Sequence, residues 1–192
     1  ARHWPGPVVI APSHAADYAW ADALLPEMRS KVGVKPQSTG NLGQRLNALD
    51  HELRRAGLEQ LVYIGSDAPA LTAVDYETAI RTLPNYETVL KPAVDGGVVL
   101  MASRRHWPAL QGLAWSTARL GADLARCCRA AGHSIAELAH SFDVDEEDDV
   151  IRLITALKAD RRPARKALHL LACELFQSRD TGDSGEESSV QF

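Results

Sequence analysis

Short apolar runs alternate with segments of helical period along the first two thirds of this 192-residue chain, and that alternation leaves few folds open. Residues 7–11 (PVVIA), 31–35 (KVGVK), 61–64 (LVYI), 88–90 (TVL) and 97–102 (GVVLMA) have the length and branched content of strands. Residues 15–25 have helical composition and stop at Pro26. Leu42, Leu46, Leu49 and Leu53 recur in steps of four and three, on one helical face, and Gly57 supplies the stop. Thr72 with Asp75 reads as a helix start, the helix reaching about Leu83 before Pro84. Segments 116–131 and 146–158 are helical, and Pro163 opens a further helix with Ala164, Leu168, Leu171 and Leu175 on one face. Residues 133–142 alternate in part and hold another strand. The pattern gives an α/β domain with a largely parallel sheet, in which ligands sit at the carboxyl ends of strands. Residues 1–160 form that domain, 161–177 an added helix and 178–192 an acidic, disordered tail.

Composition removes several function classes. Hydrophobic residues make up 45% and charged residues 24%, values of an ordinary globular domain, and the net charge of -4 argues against a nucleic-acid binder. No apolar run approaches the ~18 residues of a membrane span. Cys127, Cys128 and Cys173 follow no metal-ligand spacing and read as reduced thiols of a cytoplasmic protein. The chain opens on Ala1 without a visible signal peptide, as a processed, trimmed or partial sequence would.

Four stretches lie where strands end or helices begin: GSDAPALT (65–72), KPAVDGG (91–97), WST (115–117) and FDVDEED (142–148). Asp67 at the tip of a buried strand needs a partner, because an unpaired carboxylate there is costly. Three of the four stretches offer a carboxylate, and acids meeting at one point call for a divalent cation such as Mg²⁺. Each stretch also has a plain structural reading. Asp67 suits a turn or helix cap, Asp95-Gly96-Gly97 a hairpin turn, and Ser116 a helix N-cap. The acids of 143–148 suit the start of a helix. An EF-hand is set aside, since Asp148 stands where the turn glycine is needed. No nucleophile elbow, P-loop or G-x-G-x-x-G is present.

In this order, QSTGNLGQR (37–45), GSDAPALT (65–72), KPAVDGGVV (91–99), WST (115–117) and DVDEEDD (143–149) resemble the bacterial DUF2064 family. That family is grouped with the glycosyltransferase-A-like (GT-A) nucleotide-diphospho-sugar transferases, and the resemblance covers about residues 7–157. It implies a three-layer fold, a mixed, mostly parallel sheet between helices, with a nucleotide or nucleotide-sugar at the strand ends. By resemblance Asp67 and Asp143 take a metal, Mg²⁺ or Mn²⁺, and Asp95 and Asp145 are catalytic. Arg45, Gly65, Ser66, Gly96, Gly97, Ser116 and Thr117 are the implied substrate-binding positions. The acceptor is not implied.

The family's opening strand and loop, F-x-K-x-P-x-x-G-x-x-K-T-R, has no counterpart here, so the first strand is expected upstream or absent. Asn41, Gln44, Lys91, Val98 and Glu146 replace the family's Asp, Glu, Gly, Tyr and Thr. Two readings follow. One is a metal-dependent glycosyl- or nucleotidyltransferase. The other is an inactive binding or accessory module on a degenerate GT-A scaffold.

Overall fold

The computed structural model describes residues 4–24 and 32–180. Strands β1 (Val8–Ile10) and β2 (Val32–Val34) pair in parallel as a separate two-stranded sheet. Strands β3 (Leu61–Ile64), β4 (Thr88–Pro92), β5 (Val98–Ser103) and β6 (Ile135–Glu137) form a second sheet in the order β3-β5-β4-β6. Pairing is antiparallel for β3–β5 and β5–β4 and parallel for β4–β6. Three strands of this sheet therefore run one way and β5 runs against them, so the sheet is mixed as expected, but two of its three pairings are antiparallel because β5 lies between β3 and β4.

A 3₁₀ turn (Ala15–Asp17) leads into α1 (Tyr18–Ala23), followed along the chain by α2 (Leu42–Arg55), α3 (Ala73–Thr82), α4 (Leu120–Ala130), α5 (Glu147–Leu157) and α6 (Pro163–Asp180). Helix α2 starts at a reciprocal capping box. The Gln44 N–H donates to Asn41 Oδ1 at 3.0 Å, and the Asn41 N–H donates to Gln44 Oε1 at 2.9 Å. It stops at Gly57, whose φ of 88° lies in the left-handed region. Helix α3 is boxed by Thr72 and Asp75 as its sequence predicts.

The four-stranded sheet is covered on both faces. Leu71, Ala79, Leu83, Val89 and Ala102 pack together on the α3 side. Leu90, Met101, Trp107, Leu110, Leu124 and Cys128 pack on the side of α2 and α4. Burial of this apolar surface holds the layers together. It also pushes the Cys128 thiol up to about 12, the neighbouring Cys127 adding to the effect, so this sulfur stays protonated and inert.

Where β3 begins and β5 ends, the sheet closes around one buried acid. Asp50 is only 2% exposed. Its carboxylate accepts from Arg54 Nε, 3.1 Å from each oxygen, and from the Tyr63 hydroxyl at 3.0 Å. His106 Nδ1 lies 3.1 Å from the same group. Arg54 spends its remaining donors on the carbonyls of Glu59, Ser103 and Arg105. Burial, then Asp50, drives the Tyr63 phenol far above its ordinary value, so it stays a donor.

Two boundary expectations change. Helix α6 packs on α5, but its buried residue among those described is Ala172, while Leu171 and Leu175 of the predicted apolar face are 52% and 58% exposed. The helix also extends to Asp180, into the stretch read as tail; residues 181–192 lie outside the described part of the chain.

Candidate functional site

Strand β3 delivers the chain to Gly65, and the turn after it folds the Asp67 side chain back over the strand end. A Cβ at Gly65 would sit 2.1 Å from Asp67 Oδ1, so this fold-back needs the glycine. Ser66 and Asp67 are exposed in the turn. Asp67 is tied to the rest of the site through its main chain, whose carbonyl accepts the Val144 N–H at 2.9 Å.

Strands β4 and β5 form a hairpin whose tip carries Asp95. The Ala93 N–H donates to Gly97 O at 3.0 Å, and Asp95 Oδ1 accepts the Gly97 N–H at 2.8 Å. Gly96 has φ 94°, and a Cβ on it would fall 1.9 Å from Ala118 O. The Gly121 N–H then donates to Gly96 O at 2.9 Å. The close approach that glycine permits here is thus to another loop of the same chain.

That loop differs from its prediction. Helix α4 begins at Leu120, not at Ser116. Ser116 sits at φ 61°, which a helix cannot contain, and the Thr117 hydroxyl donates to Ala114 O at 2.8 Å. Ser116 and Thr117 therefore form an exposed turn against the hairpin, ahead of the helix, and do not cap it.

The third approach comes from residues 139–146. Ser141 bridges Ala93, and the Val94 N–H donates to Ser141 O at 3.0 Å, which carries the chain along β4 toward the hairpin tip. Helix α5 is capped by Glu146 with Asp149, so Asp149 spends its carboxylate on the helix start, as the plain reading of this acidic run predicts. Asp143 and Asp145 precede the helix and face Asp95. The three offer oxygens all within 4.8 Å of one another. Burial, then Asp95, Asp145 and Asp67 in turn, raises the Asp143 carboxyl above the ordinary carboxylate range. GSD, DGG, WST and DVD are thus brought together, as their positions in the sequence suggest. Asp67 stands beside the trio as a charge rather than inside it.

Three carboxylates converging from two loops are a hard-oxygen donor set of the kind that Mg²⁺ or Mn²⁺ accepts. Asp95 and Asp145 are exposed and Asp143 is half-buried; two clefts, of about 440 and 330 Å³, are lined by other residues, among them Arg54 and His106 in one and Lys158 and His169 in the other.

Arg45 lies in the first turns of α2, with its Nε buried and without a hydrogen-bond partner among the described residues. The helix start is docked on the 107–113 loop, where Asn41 Nδ2 donates to Gln111 O at 3.0 Å. No described contact links Arg45 to the carboxylates. Asn41 and Gln44, which depart from the family's acids, keep the capping box intact and are structural here.

Lys91 is the residue of this region whose part the sequence does not disclose. It is 6% exposed. Its ammonium donates to Ala139 O at 2.7 Å and lies 2.9 Å from Asp75 Oδ1. A lysine within an apolar strand, four residues from an acid in the chain, is the signal that would have found it. On the opposite flank the Arg165 guanidinium of α6 donates to Leu71 O, tying the C-terminal helix to the end of GSDAPALT.

The model of a family described as uncharacterized protein conserved in bacteria, DUF2064, matches residues 1–117. The chain belongs to DUF2064. The match covers GSD, DGG and WST, while Asp143 and Asp145 lie beyond it. Among solved structures, the fold is similar to that of a proposed nucleotide-diphospho-sugar transferase from Desulfovibrio desulfuricans G20. The two are 22% identical, with a TM-score of 0.68 over 88% of this chain and 74% of the other. This likeness establishes the GT-A-like fold for the DUF2064 chain. No curated protein matches it. Among the described residues, no helix is long and apolar enough to cross a membrane.

Proposed function

We propose that this DUF2064 chain is a metal-dependent transferase that moves a glycosyl or nucleotidyl group from a nucleotide-based donor. The observation that carries this reading is the convergence of Asp95, Asp143 and Asp145 within 4.8 Å at the strand ends. The similarity in fold to a proposed nucleotide-diphospho-sugar transferase supports it. Four acids alone would repel a diphosphate, so the cluster favours a divalent cation, Mg²⁺ or Mn²⁺, held by Asp143 with Asp95 or Asp145. When bound, the cation offsets charge developing on the leaving diphosphate or pyrophosphate.

The chain's own groups do the rest. Asp143 holds a proton more tightly than an ordinary carboxyl, and a cation held there would require that carboxyl to be deprotonated. The carboxylate of the Asp95/Asp145 pair not engaged with the cation accepts the proton of an acceptor hydroxyl. Asp67 adds charge at the rim. The turn of Ser116 and Thr117, with the Gly65–Ser66 and Gly96–Gly97 main chain, lines the approach for the donor. Arg45, at the start of α2, is the cation proposed for the donor's phosphates. A cytoplasmic location fits three free cysteines.

The test is calorimetric titration of nucleoside di- and triphosphates and nucleotide sugars, with and without Mg²⁺ or Mn²⁺, on the chain and on Asp143→Asn. Binding that requires the metal and is lost in the variant is expected. Binding indifferent to both would overturn the reading. A second reading, a binding module without turnover, is favoured by the exposure of Asp95 and Asp145. It predicts metal-dependent binding with no transfer to any acceptor.

A further inference from the structure

We infer that Lys91 is a positioning residue that sets the geometry of the carboxylate cluster from beneath it; the inference rests on the metal reading above. Three segments carry acids to the site, and one buried ammonium, borne by the first, contacts residues that flank the acids of the other two. Lys91 itself lies on β4, four residues before Asp95. Ala139, whose carbonyl accepts from Lys91 Nζ at 2.7 Å, lies four residues before Asp143. Asp75, 2.9 Å from the same nitrogen, closes the capping box with Thr72 that ends the loop begun at Asp67.

The side chain can do this because it is long, charged and enclosed. At 6% exposure its ammonium must be paired, and both recorded partners belong to the other two segments. The pairing is reciprocal. Burial alone pushes the Asp75 carboxyl up, but the Thr72 N–H, the Lys91 ammonium and the Thr72 hydroxyl together outweigh it and hold it below its ordinary value. An apolar side chain of similar length fills the space but joins nothing.

The sign of one measurement separates this role from its rivals. Lys91 is a cation, so if it acted on the site only through its field, removing it would strengthen binding of a divalent cation. If it served stability alone, the folded variant would bind as before. Positioning predicts weaker binding. The experiment is a titration with Mn²⁺, free ion being read by electron paramagnetic resonance, well below the melting transition. It compares the chain with Lys91→Met, and far-ultraviolet circular dichroism checks the fold. The expected result is a loss of about 10–100-fold in Mn²⁺ affinity, the range for outer partners of a metal site, with the fold unchanged. Should Lys91→Met not fold, Lys91→Gln, which also removes the charge and is too short to reach both Ala139 O and Asp75, is titrated in its place and is expected to weaken Mn²⁺ binding, where a field effect alone would strengthen it. Equal or tighter binding by the folded variant overturns the role of Lys91 and leaves the metal reading standing. An unmodified chain that binds no Mn²⁺ overturns both.

Discussion

Asp50 and Asp143 are carboxylates placed by the same four-stranded sheet at opposite ends, and their surroundings are inverted. Asp50 is 2% exposed and receives Arg54, the Tyr63 hydroxyl and His106. Asp143 is half-buried, and the charges acting on it are those of Asp95, Asp145 and Asp67. The first acid is more deeply buried yet fully matched, so it contributes to architecture. The second is less buried and opposed by its neighbours, an arrangement that stabilises nothing by itself. Burial therefore does not separate a structural acid from a functional one; the sign of the surrounding charge does.

That contrast can be broken at either end. The largest effect is expected for Asp50→Ala, which strands the Arg54 guanidinium and costs about 3–5 kcal/mol in urea unfolding. Mn²⁺ affinity of the folded fraction stays the same. A cost below about 1 kcal/mol, the worth of an exposed pair, would mean that Asp50 is no more architectural than a surface acid. Asp143→Asn should do the reverse. It should weaken Mn²⁺ by more than the about 10–100-fold attributable to outer partners, while raising the melting temperature of the metal-free protein. A lower metal-free melting temperature would make Asp143 a structural group after all.

Gly96→Ala comes next. The left-handed backbone alone costs about 1–2 kcal/mol, and the clash with Ala118 O adds to it. Its urea midpoint should fall, and Mn²⁺ binding should weaken with it, because Asp95 rides on the same turn. A neutral Gly96→Ala would dissociate the hairpin from the site.

The smallest effect is a slope with pH. Asp143 is raised in the folded state, so from the ordinary carboxylate pKa up to its own, the native chain binds more protons than the unfolded one. Metal-free stability falls as pH rises through that window. Asp75 is lowered and acts oppositely: its stabilisation is present above the ordinary carboxylate pKa and lost as pH falls through the folded value. Thermal melts across mildly acidic pH should show the Asp143 slope, and Asp143→Asn should remove it. A slope that survives in the variant belongs to another group.

Much of this is legible in the sequence alone. The strand runs and the α2, α3 and α5 helices fall within a few residues of their predicted bounds, since period and capping are local. The convergence of GSD, DGG and DVD was readable too, because each follows a strand and the chain's alternation sends strand ends to one edge. Membership of the cluster was not. It depends on which side chains meet across segments distant in sequence, and there Asp95 joined Asp143 and Asp145 while Asp67 remained beside them. The start of α4 is not legible, because Ser-Thr reads as a cap in composition and only φ at Ser116 shows the turn. For α6, the period identifies an apolar face but not what covers it. Asn41 and Gln44 looked like lost acids, although a capping box needs acceptors and an amide serves as well.

The contact of Gly96 with Ala118, closed by the Gly121 N–H on Gly96 O, has a consequence for protein engineering. The hairpin tip and the turn of residues 116–121 are one interchangeable part. Exchange of the hairpin alone for one without a glycine at position 96 would set a side chain into the backbone of the turn. Exchange of both together carries the lock with its key, and a library that varies the rim of this domain should treat them as a single cassette.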